Sequence, residues 1–245
     1  MAILRLNCIS FYLLDIMIAI QIHLNPNLYL KNPQETKLGK RIIEHSIILI
    51  DQLGFEKFTF KKLATEIDST EASIYRYFKN KHNLLIYLVS WYWEWMKFQI
   101  DFNTMNIEDV DKRLCIALSV LVESSQTNPA IDYVDENLLH SIVVAESSKA
   151  YHTKLVDKEN KEGYFSNYKE LCQTIASIIL EKNPNYSYPN ALASTLIEMA
   201  NNNIYFAQHL PALTDVKIHQ GQLEDIKYLL KHFAFSSIAG DASKK

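Results

Sequence analysis

Turn-forming residues are scarce in this chain: five Gly and six Pro among 245 residues. A sheet-rich fold needs more of both, so a mostly helical protein is expected. Five glycines leave no room for a Gly-rich phosphate loop, and no Gly-x-Ser-x-Gly elbow occurs. The three cysteines, Cys8, Cys115 and Cys172, stand far apart without paired spacing. That excludes a disulfide framework or a cysteine-based zinc site and fits a reducing cytoplasm. The eight histidines include no His-Glu-x-x-His pair. Asp135 and Glu136 lie at helical distance from His140, and unpaired surface charge explains them better than acid/base or metal chemistry. No catalytic residue, metal ligand or cofactor is assigned, and no internal repeat is visible. A membrane-length apolar run is also missing. Residues 8–22, CISFYLLDIMIAIQI, are broken by Asp15 and are shorter than the roughly 20 residues a span needs. A signal peptide and a membrane attachment through this stretch are the alternatives. The plainer expectation is that translation starts at Met17 and that residues 1–36 form an N-terminal extension. Asn25-Pro26 and Asn32-Pro33 make its second half extended or turned.

What is present is a sizeable apolar complement, 48% of residues, and an uneven charge distribution on a net charge of −3. From Lys37 to His82 there are nine Lys/Arg against six Asp/Glu; from Asn83 onward there are fourteen against twenty. A mildly basic head on an acidic body fits a nucleic-acid contact confined to the head.

The chain is organised around Thr59 to His82. Thr59 can cap a helix beginning at Phe60, and Leu63, Ala64 and Ile67 give it one buried stripe. Asp68-Ser69-Thr70 favours a turn. Thr70 can cap a second helix, Glu71 to Phe78, with Ile74 and Phe78 inward and Ser73, Arg76 and Lys79 outward. Asn80 can cap a third. Helix 1 is expected over Thr36–Leu53, stopped by Gly54, and Phe55, Phe58 and Phe60 are expected to close the small core. Two helices across a tight turn, with a small polar outer face on the second, form a helix-turn-helix, whose second helix enters the DNA major groove.

Leu63-Ala64, the turn, the run Ala72 to Phe78, and Lys79-Asn80-Lys81-His82-Asn83-Leu84-Leu85 resemble the N-terminal domain of TetR/AcrR-type transcriptional regulators. The resemblance runs from about Leu38 to Tyr92. Asp68 stands where the family has a turn Gly, Ser69 replaces an apolar residue, and Tyr77 replaces a His. Asp visits the left-handed region more readily than most residues, so the turn survives. The resemblance implies phosphate contacts from Lys62, Lys81 and the Tyr75 and Tyr77 hydroxyls. Thr59 and Thr70, at the two helix starts, complete the candidate DNA-binding set. Among outward residues of the second helix, Glu71 can accept from cytosine N4 and Ala72 can touch a thymine methyl. Ser73 can face either kind of base, and Arg76 can clamp guanine or touch a phosphate.

Beyond the head the sequence shows further helices. Lys81–Asn103 is apolar nearly all round and carries all three tryptophans, which reads as a core helix joining two domains. Trp91 and Trp95, with Asn202 and Asn203 of a later helix, are the candidate ligand-pocket residues. Amphipathic stretches follow at 107–125, 135–152, 164–182 and 189–209. The last helix, Asp215 to about Ser236, carries a heptad seam through Val216, His219, Leu223, Ile226, Leu230 and Phe233. Leu223, Ile226, Leu230 and Phe233 are the candidate dimer interface, an assignment the resemblance favours over packing within the subunit.

The expectation is an all-α chain of about nine helices. Its parts are an extension (1–36), a three-helix DNA-binding domain (37–94, helix-turn-helix 59–78) and an effector-binding and dimerisation domain (95–245). The function expected is a cytoplasmic, non-enzymatic repressor that binds a palindromic double-stranded operator as a homodimer. A small apolar or aromatic effector releases it. The alternative is a helix-turn-helix regulator whose C-terminal domain docks a protein partner.

Overall fold

The computed structural model describes residues 22–123, 131, 133–218 and 223–240. Among them the chain forms eleven α-helices, three short 3₁₀ turns and no strand. The all-α expectation holds, with two helices more than expected. The expected start at Met17 and most of the 8–22 run lie outside the described residues.

Each helix of the head begins under a side-chain cap, at Thr59 and Thr70 as expected and at Thr36, the expected first helical residue. Helix α1, Lys37–Leu53, starts under Thr36, whose Oγ1 accepts the Gly39 amide at 3.0 Å. Gly39 allows the preceding turn to come close, because a Cβ there would lie 2.3 Å from the Pro33 carbonyl oxygen. Gly54 ends α1 at φ 75°, a conformation that excludes most side chains. Helices α2, Phe60–Glu66, and α3, Glu71–Tyr75, are capped by Thr59 and Thr70. Between them Asp68 takes φ 45°, the left-handed turn for which the sequence lacks a glycine. Helix α3 ends three residues earlier than the periodicity predicts, in turns made by the Tyr77 and Phe78 amides on the Ile74 carbonyl. Phe58, Phe60, Leu63, Ile67, Ile74 and Phe78 are buried in a core with Ile42, Ile43 and Ile47 of α1.

Helix α4, Lys81–Thr104, starts on Asn80, whose side chain accepts the Asn83 amide. It runs unbroken past residue 94, and fourteen of its 24 residues are buried. Apolar all round, it can be satisfied only by cover on several sides. That cover comes from α5, Val110–Val120; α6, Glu136–Glu146; and α9, Ser166–Lys182. Short helices α7, Ser148–Tyr151, and α8, Val156–Lys161, connect α6 to α9. The expected 135–152 helix is thus broken near Ser147. Helix α10 spans Pro189–His209, as the two prolines that bound it predict, and packs between α9 and α11, Glu224–Gly240.

Two corrections follow from burial. Ile226 and Leu230 of the heptad seam are fully buried within the chain itself, on the side of α11 that meets α10 and α5. The seam is intramolecular there: the periodicity identifies an apolar side but not which chain covers it. Phe233 is 44% exposed and Leu223 half-buried; His219 lies outside the described residues. Glu136 and His140 are also buried rather than surface groups. His140 stacks on Tyr92 of α4 at 5.6 Å, and burial pushes its pKa down to about 4, so it stays neutral.

The segment 22–36 folds back over the head. Its two Asn-Pro pairs start 3₁₀ turns, each capped by the Asn side chain. The Leu30 amide donates to the Tyr77 carbonyl at 2.7 Å, and Ile22 and Leu28 are buried.

Candidate nucleic-acid interface

Helix α3 has one buried residue, Ile74, which anchors it to the core. Glu71, Ala72, Tyr75 and Arg76 are exposed and Ser73 is half-exposed, so all but Ile74 of residues 71–76 face outward, and four of those five are polar. Tyr75 is 47% exposed, yet its ring sits edge-on to Phe60 at 5.0 Å. That contact orients the hydroxyl outward without burying it. The angle between α2 and α3 is held from behind. The Arg41 guanidinium donates to the Ile67 carbonyl at 2.7 Å, satisfying the end of α2 where the turn begins. Thr70 Oγ1 accepts the Ser73 amide at 3.2 Å and lies 3.0 Å from the Ser73 hydroxyl.

The remaining expected contact residues divide. Lys62 is exposed on α2 and donates to the Lys57 carbonyl at 2.8 Å, which leaves two ammonium protons for an anion. Thr59 is exposed and its hydroxyl accepts the Lys62 amide at 3.2 Å. Two residues turn inward instead. Tyr77 is only 4% exposed, and its hydroxyl hydrogen-bonds Thr36 Oγ1 at 2.8 Å. It joins α1 to the turn after α3 and offers nothing to a phosphate. Lys81 directs its ammonium to the carbonyls of Phe55 (2.9 Å), Glu56 (3.1 Å) and Phe58 (3.3 Å), over the Phe55 ring. Its three donors are committed, so it is a clamp on the α1–α2 loop. Neither role has a sequence signature, because both partners are backbone or distant in the chain. Arg41 was missed for the same reason.

Head and body are joined by polar contacts around this clamp. The Phe55 amide donates to Glu146 Oε1 at 3.0 Å, and Lys149 bridges Glu56 at 3.2 Å and Glu146 at 2.6 Å. His82 meets Glu159 at 2.9 Å. The side-chain amides of Asn25 and Asn27 both donate to the Glu162 carbonyl at 3.0 Å.

In the body, the expected pocket residues do not converge. Trp91 and Trp95 are buried in the core with ring centroids 6.1 Å apart. Asn203 spends its side chain on the Met199 carbonyl and the Thr214 hydroxyl. Asn202, in contrast, lines a cleft of about 320 Å³ with Ser194, Thr195, Glu198 and Met199. Among the described residues no group of His, Cys, Asp or Glu is arranged to hold a metal ion, and no helix is long and apolar enough to cross a membrane.

Residues 42–88 match the family model described as bacterial regulatory proteins, tetR family. No curated protein matches the sequence. Among solved structures, the chain is similar to AibR in complex with isovaleryl coenzyme A and operator DNA. That match has TM-score 0.53 and 13% identity, over 79% of this chain and 97% of that one. It is similar to the fatty acid degradation regulator FadR from Bacillus halodurans at TM-score 0.54 and 19% identity, over 82% and 97%. It is also similar to the superantigen PfiT at TM-score 0.54 and 14% identity, over 84% and 97%. At these identities the likeness is one of fold.

Proposed function

We propose that this chain, which belongs through its helix-turn-helix domain to the tetR family of bacterial regulatory proteins, is a dimeric repressor of transcription released from its operator by a small molecule. The observation that carries the reading is the outward face of α3. It is a small polar surface on a rigid, doubly capped helix-turn-helix, inside the span that matches the family model.

In this reading Glu71, Ala72, Ser73, Tyr75 and Arg76 meet base edges and flanking phosphates, and Lys62 with Thr59 and Thr70 holds the backbone. One α3 reads one half-site. Two copies about 34–36 Å apart read a near-palindrome. The dimer face we assign lies on the last helix, α11, where Phe233 of the expected seam is 44% exposed. A large aromatic side chain left exposed on a folded surface is well suited to an interface core. Residues 37–94 act as the reader and 95–245 as the responsive body. Helix α4 belongs to both, so a shift of its body half moves the Lys81 clamp and with it the spacing of the two α3 helices. An effector produces that shift only by binding the two arrangements unequally.

Selection of bound duplexes from a random pool, followed by salt titration of the winner, tests the reading. A near-palindromic winner bound by a dimer in sedimentation is the expected result. Binding no tighter than to bulk competitor DNA refutes it.

A further inference from the structure

The cleft on α10 contains a carboxylate with no counter-ion among the described residues. Glu198 Oε1 accepts two phenol hydrogen bonds, from Tyr151 of α7 and Tyr168 of α9, each at 2.9 Å. Its second oxygen makes no hydrogen bond to the described residues, and no Lys, Arg or His among them lies within ion-pair distance of it. A part-buried carboxylate is normally compensated by a cation or by several donors; here both strong donors reach the same oxygen. Burial and the Glu198 charge together push both phenols up, so they remain neutral donors.

The surroundings of Glu198 specify more than charge. Tyr168 is sandwiched between Tyr151 at 6.0 Å and Trp93 of α4 at 5.2 Å, in near-parallel stacks. Those rings cover each other's faces, so they position the carboxylate rather than offering a π surface. Ser194, Thr195 and Asn202 add hydroxyl and amide oxygens at the cleft wall, and Met199 adds an adaptable apolar one. About 320 Å³ is the size of a small organic ligand and far exceeds a bare ion. From Asn83 onward the chain carries an excess of six negative charges, which raises the local concentration of cations.

We infer that this cleft binds a small organic amine in its protonated form, with the ammonium on Glu198 and a compact apolar body against Met199. An N⁺–H donates to the open carboxylate oxygen, and oxygens one turn away on the cleft wall, from Ser194 and Thr195 or from Asn202, accept the other two ammonium protons. The Glu198–Tyr168–Trp93 chain leads directly to α4. This last step rests on the effector reading above; the binding itself does not.

Calorimetric titration of the full-length protein with benzylamine and with benzyl alcohol, near-isosteres that differ in charge at neutral pH, isolates the ammonium. Benzylamine is expected to bind at least tenfold more tightly than the alcohol, and Glu198→Gln to remove that preference. Equal binding of the two probes, no binding of either, or an unchanged preference in Glu198→Gln overturns the inference. If Glu198→Gln does not fold, Thr195→Lys supplies an internal competitor one helical turn away. Loss of benzylamine binding in that variant supports the site, and retained binding overturns it. Operator affinity measured with saturating benzylamine separates the two levels. Glu198-dependent binding without any change in operator affinity keeps the amine site and removes its role as the release signal.

Discussion

Helices α3 and α4 are separated by five residues and are built on opposite terms. Helix α3 has five residues, one of them buried; α4 has 24, fourteen of them buried. Helix α3 holds its shape through caps at its start and a single anchor, and its outer side chains are free to meet something else. Helix α4 spends most of its side chains on the core of its own chain. A substitution on the first therefore changes what the protein touches, and one on the second changes whether it stays folded. The largest effect belongs to α4. Trp91 is fully buried, and Trp91→Ala is expected to cost about 3–5 kcal/mol of stability by transfer and cavity terms. Urea unfolding checks this; a midpoint unchanged from the parent would show that the α4 core is looser than its burial implies.

The same core contains a titrating group. His140 is buried against Tyr92 and its pKa is pushed down to about 4, from 6.5 in the unfolded chain. Between those values the unfolded state binds the proton and the native state does not, so stability rises with pH across the window. The contribution is complete above about pH 6.5 and is lost as pH falls toward 4, by up to about 3 kcal/mol. Replacing His140 with Phe should flatten that slope. Chemical unfolding from pH 4.5 to 7.5 measures it, and an identical slope in the variant would assign the acid sensitivity elsewhere.

The contrast also explains what could be read from the sequence. Capping and punctuation are local, so Gly54, Thr59, Thr70, Asn80, Pro189 and Pro211 placed helix ends to within a few residues. Asp68 was legible as a left-handed turn because the resembling family has a Gly there and Asp tolerates that conformation. Partners distant in the chain were not. The Arg41 bond to Ile67, the Lys81 clamp and the Glu198–Tyr151–Tyr168 cluster each join separate segments, and no spacing announces them. Periodicity failed in two instructive places. On α11 it found the apolar side but could not say that Ile226 and Leu230 are covered from within the subunit. At Asp135, Glu136 and His140 it took residue type for exposure, whereas Asp135 caps α6 and the other two are buried.

The outer face of α3 gives the converse experiment. Arg76 is exposed, with no hydrogen bond or ion pair from its side chain to the described residues, so Arg76→Ala should leave the unfolding midpoint within about 0.5 kcal/mol of the parent. Operator affinity should fall by about 1–3 kcal/mol at fixed salt. Relaxed preference at one base position would make Arg76 a base reader, and a uniform loss with a shallower salt slope would make it a phosphate contact. Unchanged affinity would remove it from the interface.

The smallest effect discriminates best, because Tyr75 and Tyr77 are two positions apart and differ only in which way they point. The Tyr77 hydroxyl bonds Thr36 inside the head, while the Tyr75 hydroxyl has no such partner among the described residues. Tyr77→Phe removes one hydrogen bond and leaves the Thr36 hydroxyl to its cap of α1, so stability should fall by about 1 kcal/mol. Because that bond holds the turn after α3 and not the DNA, the loss should appear in unfolding and leave operator affinity at fixed salt unchanged. Tyr75→Phe should do the reverse, keeping stability and weakening operator binding by about 1 kcal/mol if its hydroxyl meets a phosphate. Two phenols on one short turn would then report separately on fold and contact. If Tyr77→Phe weakens operator binding as much as Tyr75→Phe without touching stability, the inward placement of Tyr77 is wrong and the reading face extends around the end of α3.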